Sequence, residues 1–401
     1  MRGPTPMRVV FFANTDWYLY NFRLSTATQL KAQGADVVMV SPPGEFGERF
    51  AAHGIRWTTL PMDRASLNPL REAFTIKSMV DVLRREKPDL LHNFTVKCAV
   101  YGALAARLAR VPAVVNAVAG MGYVYASNGL KARVLRPVVS TLMRSTLGHG
   151  NSRVILQNPD DAAALDSLKL VPPERVRVIR SSGVDTQRFC PARDHSGESP
   201  ARGPLRVLLA ARLLREKGVG ELVEASRMLQ QRGRNVEVLL AGTPDPGNPG
   251  SFSRQEIEQW HRQGLVTWLG HVEDMPALMR SVHVMALPSY YREGVPRCLI
   301  EGAASGLCLI TTDLPGCREV VTEHGGDGLH VPPRDPPSLA ALLMQLDDDR
   351  EQLRRLGAKA RERAKEHFDE RLVIDRTLEV YEELLSAPLG TQAATLGCAR
   401  E

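Results

Sequence analysis

Two glutamates eight positions apart, Glu293 and Glu301, bracket the run Glu-Gly-Val-Pro-Arg-Cys-Leu-Ile-Glu, which follows a strand-like apolar stretch ending at Pro288. Gly294 lets the backbone close on a ligand, and the helix that starts here offers free N–H groups and a positive dipole end suited to phosphate. An ionised carboxylate beside that dipole accepts short, directional hydrogen bonds from sugar hydroxyls. The same spacing also fits a helix-capping Glu293 and a surface Glu301, so spacing alone leaves both readings open. Arg212 and Lys217 follow another strand-like run, and by themselves they fit an ordinary solvated helix start.

Metal chemistry finds little support. Asp347-Asp348-Asp349 is an acidic run between two C-terminal helical segments, far from any strand end, and reads as helix capping. The ten histidines show no HxxxH or HExxH pairing, and the six cysteines are scattered without CxxC spacing, which fits reduced cytoplasmic thiols. No metal and no other cofactor is expected.

The elements that must position these residues alternate. Strand-like runs at Met7–Ala13, Ala35–Val40, Ile55–Leu60, Asp89–His92, Ala113–Val118 and Arg153–Leu156 are separated by helical spacing, and a second series follows at Leu205–Ala210, Val236–Ala241, Val266–Leu269, Val284–Leu287 and Leu309–Thr312. Alternation of this kind specifies parallel, doubly wound sheets, so the chain reads as α/β with two Rossmann-like halves. Expected boundaries are 1–190 for the first domain, 191–204 for a linker and 205–370 for the second domain. A helix over 371–388 should pack back toward the first domain, with a frayed tail over 389–401. Ligands of such sheets sit beyond the carboxyl ends of the strands, which directs attention to the strand-to-helix loops.

Charge is uneven. The net charge of +6 divides into 24 Lys and Arg against 14 Asp and Glu over residues 1–185, and 27 against 31 over the remainder. No acidic residue occurs between Asp89 and Asp160. One surface of the first domain should therefore be strongly positive. No nucleic-acid-binding motif accompanies it, so an anionic membrane or a polyphosphate substrate is the better partner. The segment Lys131–Leu147 mixes Lys131, Arg133, Arg136 and Arg144 with apolar residues and reads as a helix lying on an anionic membrane surface. No stretch has the ~20 apolar residues that span a bilayer, and the N-terminus lacks a signal-peptide pattern.

The run from Glu293 to Val321 (EGVPRCLIEGAASGLCLITTDLPGCREVV) resembles the EX7E signature of the retaining glycosyltransferases of family 4. Further matches fall in order along residues 7–385: Ser182-Gly183-Val184-Asp185, Ala211-Arg212 with Glu216-Lys217-Gly218, Leu269-Gly270-His271 and Ala286-Leu287-Pro288-Ser289. The resemblance implies the GT-B fold, two facing Rossmann-like domains with a C-terminal helical extension, the second holding a nucleotide-sugar. It implies that Arg212 and Lys217 grip the donor diphosphate, where leaving-group charge develops. Glu293 then meets the donor sugar and Glu301 the ribose, while Gly294, Val295, Pro296, Ser289, His271 and Gly316 line the donor site.

On the acceptor side the resemblance is less regular. The usual glycine-rich first loop is absent, leaving Asp16, Tyr20 and Arg23 as candidate acceptor contacts together with Lys97, Gly120 and Gly122. The loop histidine that many family members place near the reacting centre is missing from Val118-Ala119-Gly120-Met121-Gly122-Tyr123. That loop, with Asn93–Lys97 and Arg64–Pro69, resembles a subgroup glycosylating undecaprenyl-diphosphate-linked saccharides. The expected activity is retaining, metal-independent transfer of a sugar, such as an N-acetylhexosamine, from a UDP-linked donor to a lipid-linked saccharide. The expected location is the cytoplasmic face of the inner membrane. A nucleotide-sugar 2-epimerase of the same fold and a non-catalytic nucleotide-sugar-binding protein are the alternatives.

Overall fold

The computed structural model describes residues 6–63, 66, 68–118, 130–148, 150–192 and 203–385, with only the backbone described over 130–135. Two compact units divide between Ser182 and Gly183 and again between Glu370 and Arg371, so the chain leaves the first unit, builds the second, and returns.

Unit 1 is built from β1 (Arg8–Phe12), α1 (Asp16–Ala32), β2 (Asp36–Ser41), β3 (Arg56–Thr59), α2 (Pro69–Glu86), β4 (Leu90–Phe94), α3 (Val96–Ala109), β5 (Ala113–Val118), α4 (Leu130–Thr146), β6 (Ser152–Leu156), α5 (Pro159–Ser167) and β7 (Val176–Val178). The seven strands are parallel in the order β3-β2-β1-β4-β5-β6-β7. Their Val-, Leu- and Phe-rich runs are buried on both faces, as a parallel sheet covered by helices requires.

Unit 2 contains β8 (Leu205–Ala210), α6 (Val219–Gln231), β9 (Val236–Ala241), α7 (Arg254–Arg262), β10 (Thr267–Gly270), α8 (Met275–Arg280), β11 (Val284–Leu287), α9 (Arg297–Ala304), β12 (Cys308–Thr311), α10 (Cys317–Val320), β13 (Leu329–His330), α11 (Pro336–Asp348) and α12 (Arg350–His367). Its parallel order is β10-β9-β8-β11-β12-β13. The last helix, α13 (Glu370–Leu385), lays Val373, Ile374, Leu378 and Tyr381 into the core of unit 1. Arg153 and Arg177 both hold Glu383 near its end.

Strand positions follow the sequence pattern, with local differences. β7 and β13 are three and two residues long and carry no apolar run, so periodicity does not reveal them. The division near residue 182, rather than at 190, follows from hydrogen bonding: the Val184 amide donates to the Phe368 carbonyl (2.8 Å), and the Glu370 amide donates to the Val184 carbonyl (3.0 Å). That ties the stretch after Ser182 into unit 2. In the Asp347–Asp349 run, Asp347 pairs with Arg350, Asp348 with Arg234, and Asp349 accepts from the Gln352 amide at the start of α12.

Candidate functional site

In unit 2 the strand order reverses between β8 and β11, since β9 and β10 continue to one side and β12 and β13 to the other. At such a reversal the two loops leaving the adjacent strands diverge and open a crevice at their carboxyl ends. Lys217 lies in the loop after β8 and Glu293 in the loop after β11, and their side chains form an ion pair there, 15% and 11% exposed. The Ser289 hydroxyl stands within hydrogen-bonding distance of both the Glu293 carboxylate (3.0 Å) and the Glu216 carbonyl (2.9 Å). The Tyr290 amide donates to that same carbonyl at 3.0 Å.

Glycine makes this approach possible at two points. Gly218 has φ +78°, and a Cβ there would stand 2.3 Å from the Pro288 carbonyl oxygen, so the Lys217 turn lies directly on the end of β11. Gly316, at φ +83°, would place a Cβ 1.6 Å from the Gly294 carbonyl oxygen. Only a residue without a side chain lets the loop after β12 press on the Glu293–Gly294 backbone.

α9 begins at Arg297 behind Pro296, and no side chain caps its N-terminus. Glu293 therefore does not cap the helix; it faces Lys217. Glu301, one turn further along, takes a hydrogen bond from Arg297 at 2.7 Å. Arg212 is more than half exposed and rests on Asp245 of the loop after β9, at 2.8 Å. Asp245 carried no signal in the sequence, because its relation to Arg212 depends on β8 and β9 being neighbours. Burial pushes the thiols of Cys298 and Cys317 up to about 12, so neither supplies a thiolate at neutral pH.

The structure thus brings Lys217, Ser289 and Glu293 together, seats Gly316 on Gly294, and places Val295 and Pro296 at the entrance to α9. His271 lies apart from this group, exposed after β10. Among the described residues no three His, Cys, Asp or Glu side chains converge as a metal site would need.

In unit 1 the order reverses between β1 and β4. Asp16 follows β1, but its carboxylate is engaged by the amides of Phe46 (2.7 Å) and Gly47 (2.9 Å). Tyr20 packs against Phe46 and Phe50. Lys97, at the start of α3, donates to the carbonyls of Asp63 and Ser66 and to the Glu72 carboxylate at 2.7–3.1 Å, which commits its three N–H groups to residues before and within the first turn of α2. Arg23 is buried beneath α1, its guanidinium 4.5 Å from the Phe94 ring centroid.

On α4, Arg144 donates to the carbonyls of Leu168 and Lys169, and Val138 and Leu142 are exposed. Arg136 is part-buried on the same helix. Gly120, Gly122 and the side chains of Lys131 and Arg133 lie outside the described residues. Among the described residues no helix is long and apolar enough to cross a membrane.

Comparison with known proteins agrees with this layout. The family described as glycosyl transferase 4-like matches residues 8–155, and that described as glycosyl transferases group 1 matches residues 193–363. The chain is 27% identical to the N,N'-diacetylbacillosaminyl-diphospho-undecaprenol alpha-1,3-N-acetylgalactosaminyltransferase of Campylobacter jejuni, over 94% of this chain and 99% of that protein. It is 24% identical to the UDP-Gal:alpha-D-GlcNAc-diphosphoundecaprenol alpha-1,3-galactosyltransferase of Escherichia coli, over 71% of this chain and 73% of that one.

Solved structures share the GT-B fold. Anabaena Alr3699/HepE in complex with UDP superposes with a TM-score of 0.74 at 20% identity, covering 94% of this chain and 100% of the other. Sucrose-phosphate synthase from Thermosynechococcus elongatus gives 0.77 at 20% identity, covering 95% and 99%. With a glycosyl transferase 4-like half followed by a group 1 half that carries the Lys217–Glu293 crevice, the chain belongs to the glycosyltransferases.

Proposed function

We propose that the chain moves a sugar from a UDP-linked donor onto a lipid-linked saccharide, with retention of configuration and without a metal, working at an anionic membrane surface. The observation that carries this reading is the Lys217–Glu293 pair at the β8/β11 reversal, beside the uncapped start of α9. Full-length similarity to an enzyme named for a diphospho-undecaprenol acceptor supports the acceptor class. The proposal assigns the donor to unit 2 and the acceptor to unit 1.

When a donor diphosphate arrives, its oxygens compete with the Glu293 carboxylate for the Lys217 ammonium. Lys217, Arg212 and the amides at the start of α9 then take up the charge that develops as the nucleotide leaves, the work a divalent cation does in other enzymes. Glu293, released from Lys217, accepts from a donor-sugar hydroxyl, and Glu301 accepts from the ribose. The departing phosphate oxygen takes the proton of the acceptor hydroxyl, which attacks from the face the nucleotide leaves. No side chain then has to act as a covalent nucleophile. The exposed Val138 and Leu142 beside Arg136 and Arg144 on α4 supply the mixture of apolar and cationic groups that suits a headgroup layer.

The test is transfer of radiolabelled sugar from UDP-N-acetylgalactosamine, UDP-N-acetylglucosamine, UDP-galactose and UDP-glucose to short-chain polyprenyl-diphosphate saccharides, with EDTA present throughout. Label should enter the lipid fraction with one donor. Lys217→Met should lower the rate by about 10²–10³, as loss of a group stabilising developing charge does. Release of an epimerised sugar from donor alone, with no label in lipid, would defeat the reading.

A further inference from the structure

Unit 1 holds a second polar feature, unrelated to the Lys217–Glu293 pair. Arg23, His92, Gln157, Ser181 and Thr377 line a cavity beneath α1 and α13, where Val118 also borders it at the carboxyl end of β5. The space open to the centre of a water-sized sphere is about 10 Å³, room for one small guest and no more.

Three of the residues lining it carry a buried polar atom with no hydrogen-bond partner among the described residues: Arg23 Nε, His92 Nε2 and Ser181 Oγ, on residues 6%, 1% and 4% exposed. Arg23 donates to the Tyr18 hydroxyl at 3.0 Å and pairs with no carboxylate among the described residues. A positive charge is thus enclosed without a counter-charge, an arrangement that costs free energy unless something compensates it.

The protonation of His92 follows from its other neighbour. Tyr381 is fully buried, and among the described residues its hydroxyl meets only His92 Nδ1, at 2.5 Å. A buried phenol has to donate its proton, so Nδ1 accepts and neutral His92 carries its hydrogen on Nε2. Arg23 Nε, His92 Nε2 and the rotatable Ser181 hydroxyl are then three donors on one small space. A water molecule has two lone pairs and brings two hydrogens that need acceptors of their own. A spherical anion accepts from all three donors and neutralises the guanidinium as well.

We propose that this cavity binds a single monovalent anion of halide size, held by Arg23, His92 and Ser181. A tetrahedral oxyanion such as phosphate is too large for it.

The test uses the full-length protein in two measurements. Crystals grown in sodium bromide should show an anomalous peak within hydrogen-bonding reach of Arg23 Nε and His92 Nε2. In solution, chloride should raise Tm relative to gluconate at equal ionic strength, saturably, by roughly 2–4 °C at about four times Kd. Inorganic phosphate should not reproduce the rise. Arg23→Met should abolish both signals. Ser181→Gly keeps the left-handed backbone (φ +69°) without strain, so it should fold normally while losing much of the chloride response. The proposal fails if no bromide peak appears, if chloride and gluconate give the same Tm, or if Arg23→Met still binds bromide.

Discussion

The Lys217–Glu293 pair can be dissected by a double-mutant cycle whose two readouts should move in opposite directions. Both side chains are at least 85% buried, so Lys217→Met strands the Glu293 carboxylate with the Ser289 hydroxyl as its one remaining side-chain partner among the described residues. Breaking a buried pair from one side costs about 3–5 kcal/mol, and the remaining hydroxyl contact places this case near 3. Glu293→Gln leaves Lys217 an amide oxygen to donate to, so its cost should be nearer 2 kcal/mol.

The double variant has no stranded charge and should lose about 3 kcal/mol rather than 5, a coupling of roughly 2 kcal/mol. Urea unfolding of a Trp17→Phe/Trp57→Phe background reads this out, because the remaining tryptophans, Trp260 and Trp268, both belong to unit 2. Calorimetric titration with UDP should separate the partners further. Lys217→Met should weaken binding at least tenfold, through loss of a charge-assisted bond of about 1.5–3 kcal/mol. Glu293→Gln should leave binding unchanged or tighter, since a carboxylate that competes for the lysine is gone. Additive losses of stability, or equal weakening of UDP binding by both variants, would refute the reasoning.

Other expectations are equally direct. Gly316→Ala forces a Cβ onto the Gly294 carbonyl and a left-handed backbone onto alanine; unit 2 should lose more than about 1–2 kcal/mol in the same urea assay, and UDP affinity should fall with it. Burial first, and the Arg23 charge second, hold the His92 imidazole well below its ordinary 6.5, so the unfolded chain takes up a proton that the folded one refuses as pH drops below 6.5. The stability this neutral imidazole contributes above pH 6.5 should decline by roughly 2 kcal/mol by pH 5 in gluconate buffer, and His92→Gln should flatten that slope. Tyr381→Ala empties the largest fully buried side-chain volume and leaves His92 Nδ1 without its donor; unit 1 should lose about 3–5 kcal/mol on urea unfolding followed by Trp57 fluorescence.

Much of the fold was legible because buried parallel strands declare themselves as apolar runs between helical spacings. The candidate pair Glu293 and Glu301 was legible because its signature is contiguous in sequence. Pairings between distant loops were not. That Lys217 meets Glu293 depends on β8 lying beside β11, which no local pattern encodes, and the same holds for Arg212 and Asp245. Lys97 reads in sequence as a candidate acceptor contact. Its three acceptors come from a segment some thirty residues earlier, so its clamping contacts emerge only from the folded chain. Arg23 reads in sequence as a candidate acceptor contact, and its burial against Phe94 of β4 and beside Thr377 of α13 emerges only from the folded chain.

The return of the chain at residue 370 makes unit 2 an insertion within unit 1. Its two ends meet, since a Cβ on Gly183 would stand 2.5 Å from the Glu370 Cα. A short peptide can bridge that gap, so a chain running from residue 182 into 371–385 through a few glycines keeps α13 and should fold without the intervening half, whereas one simply ended at 182 lacks the helix that fills its core. The same geometry lets the whole span from Gly183 to Glu370 be exchanged as one cassette through two neighbouring chain crossings.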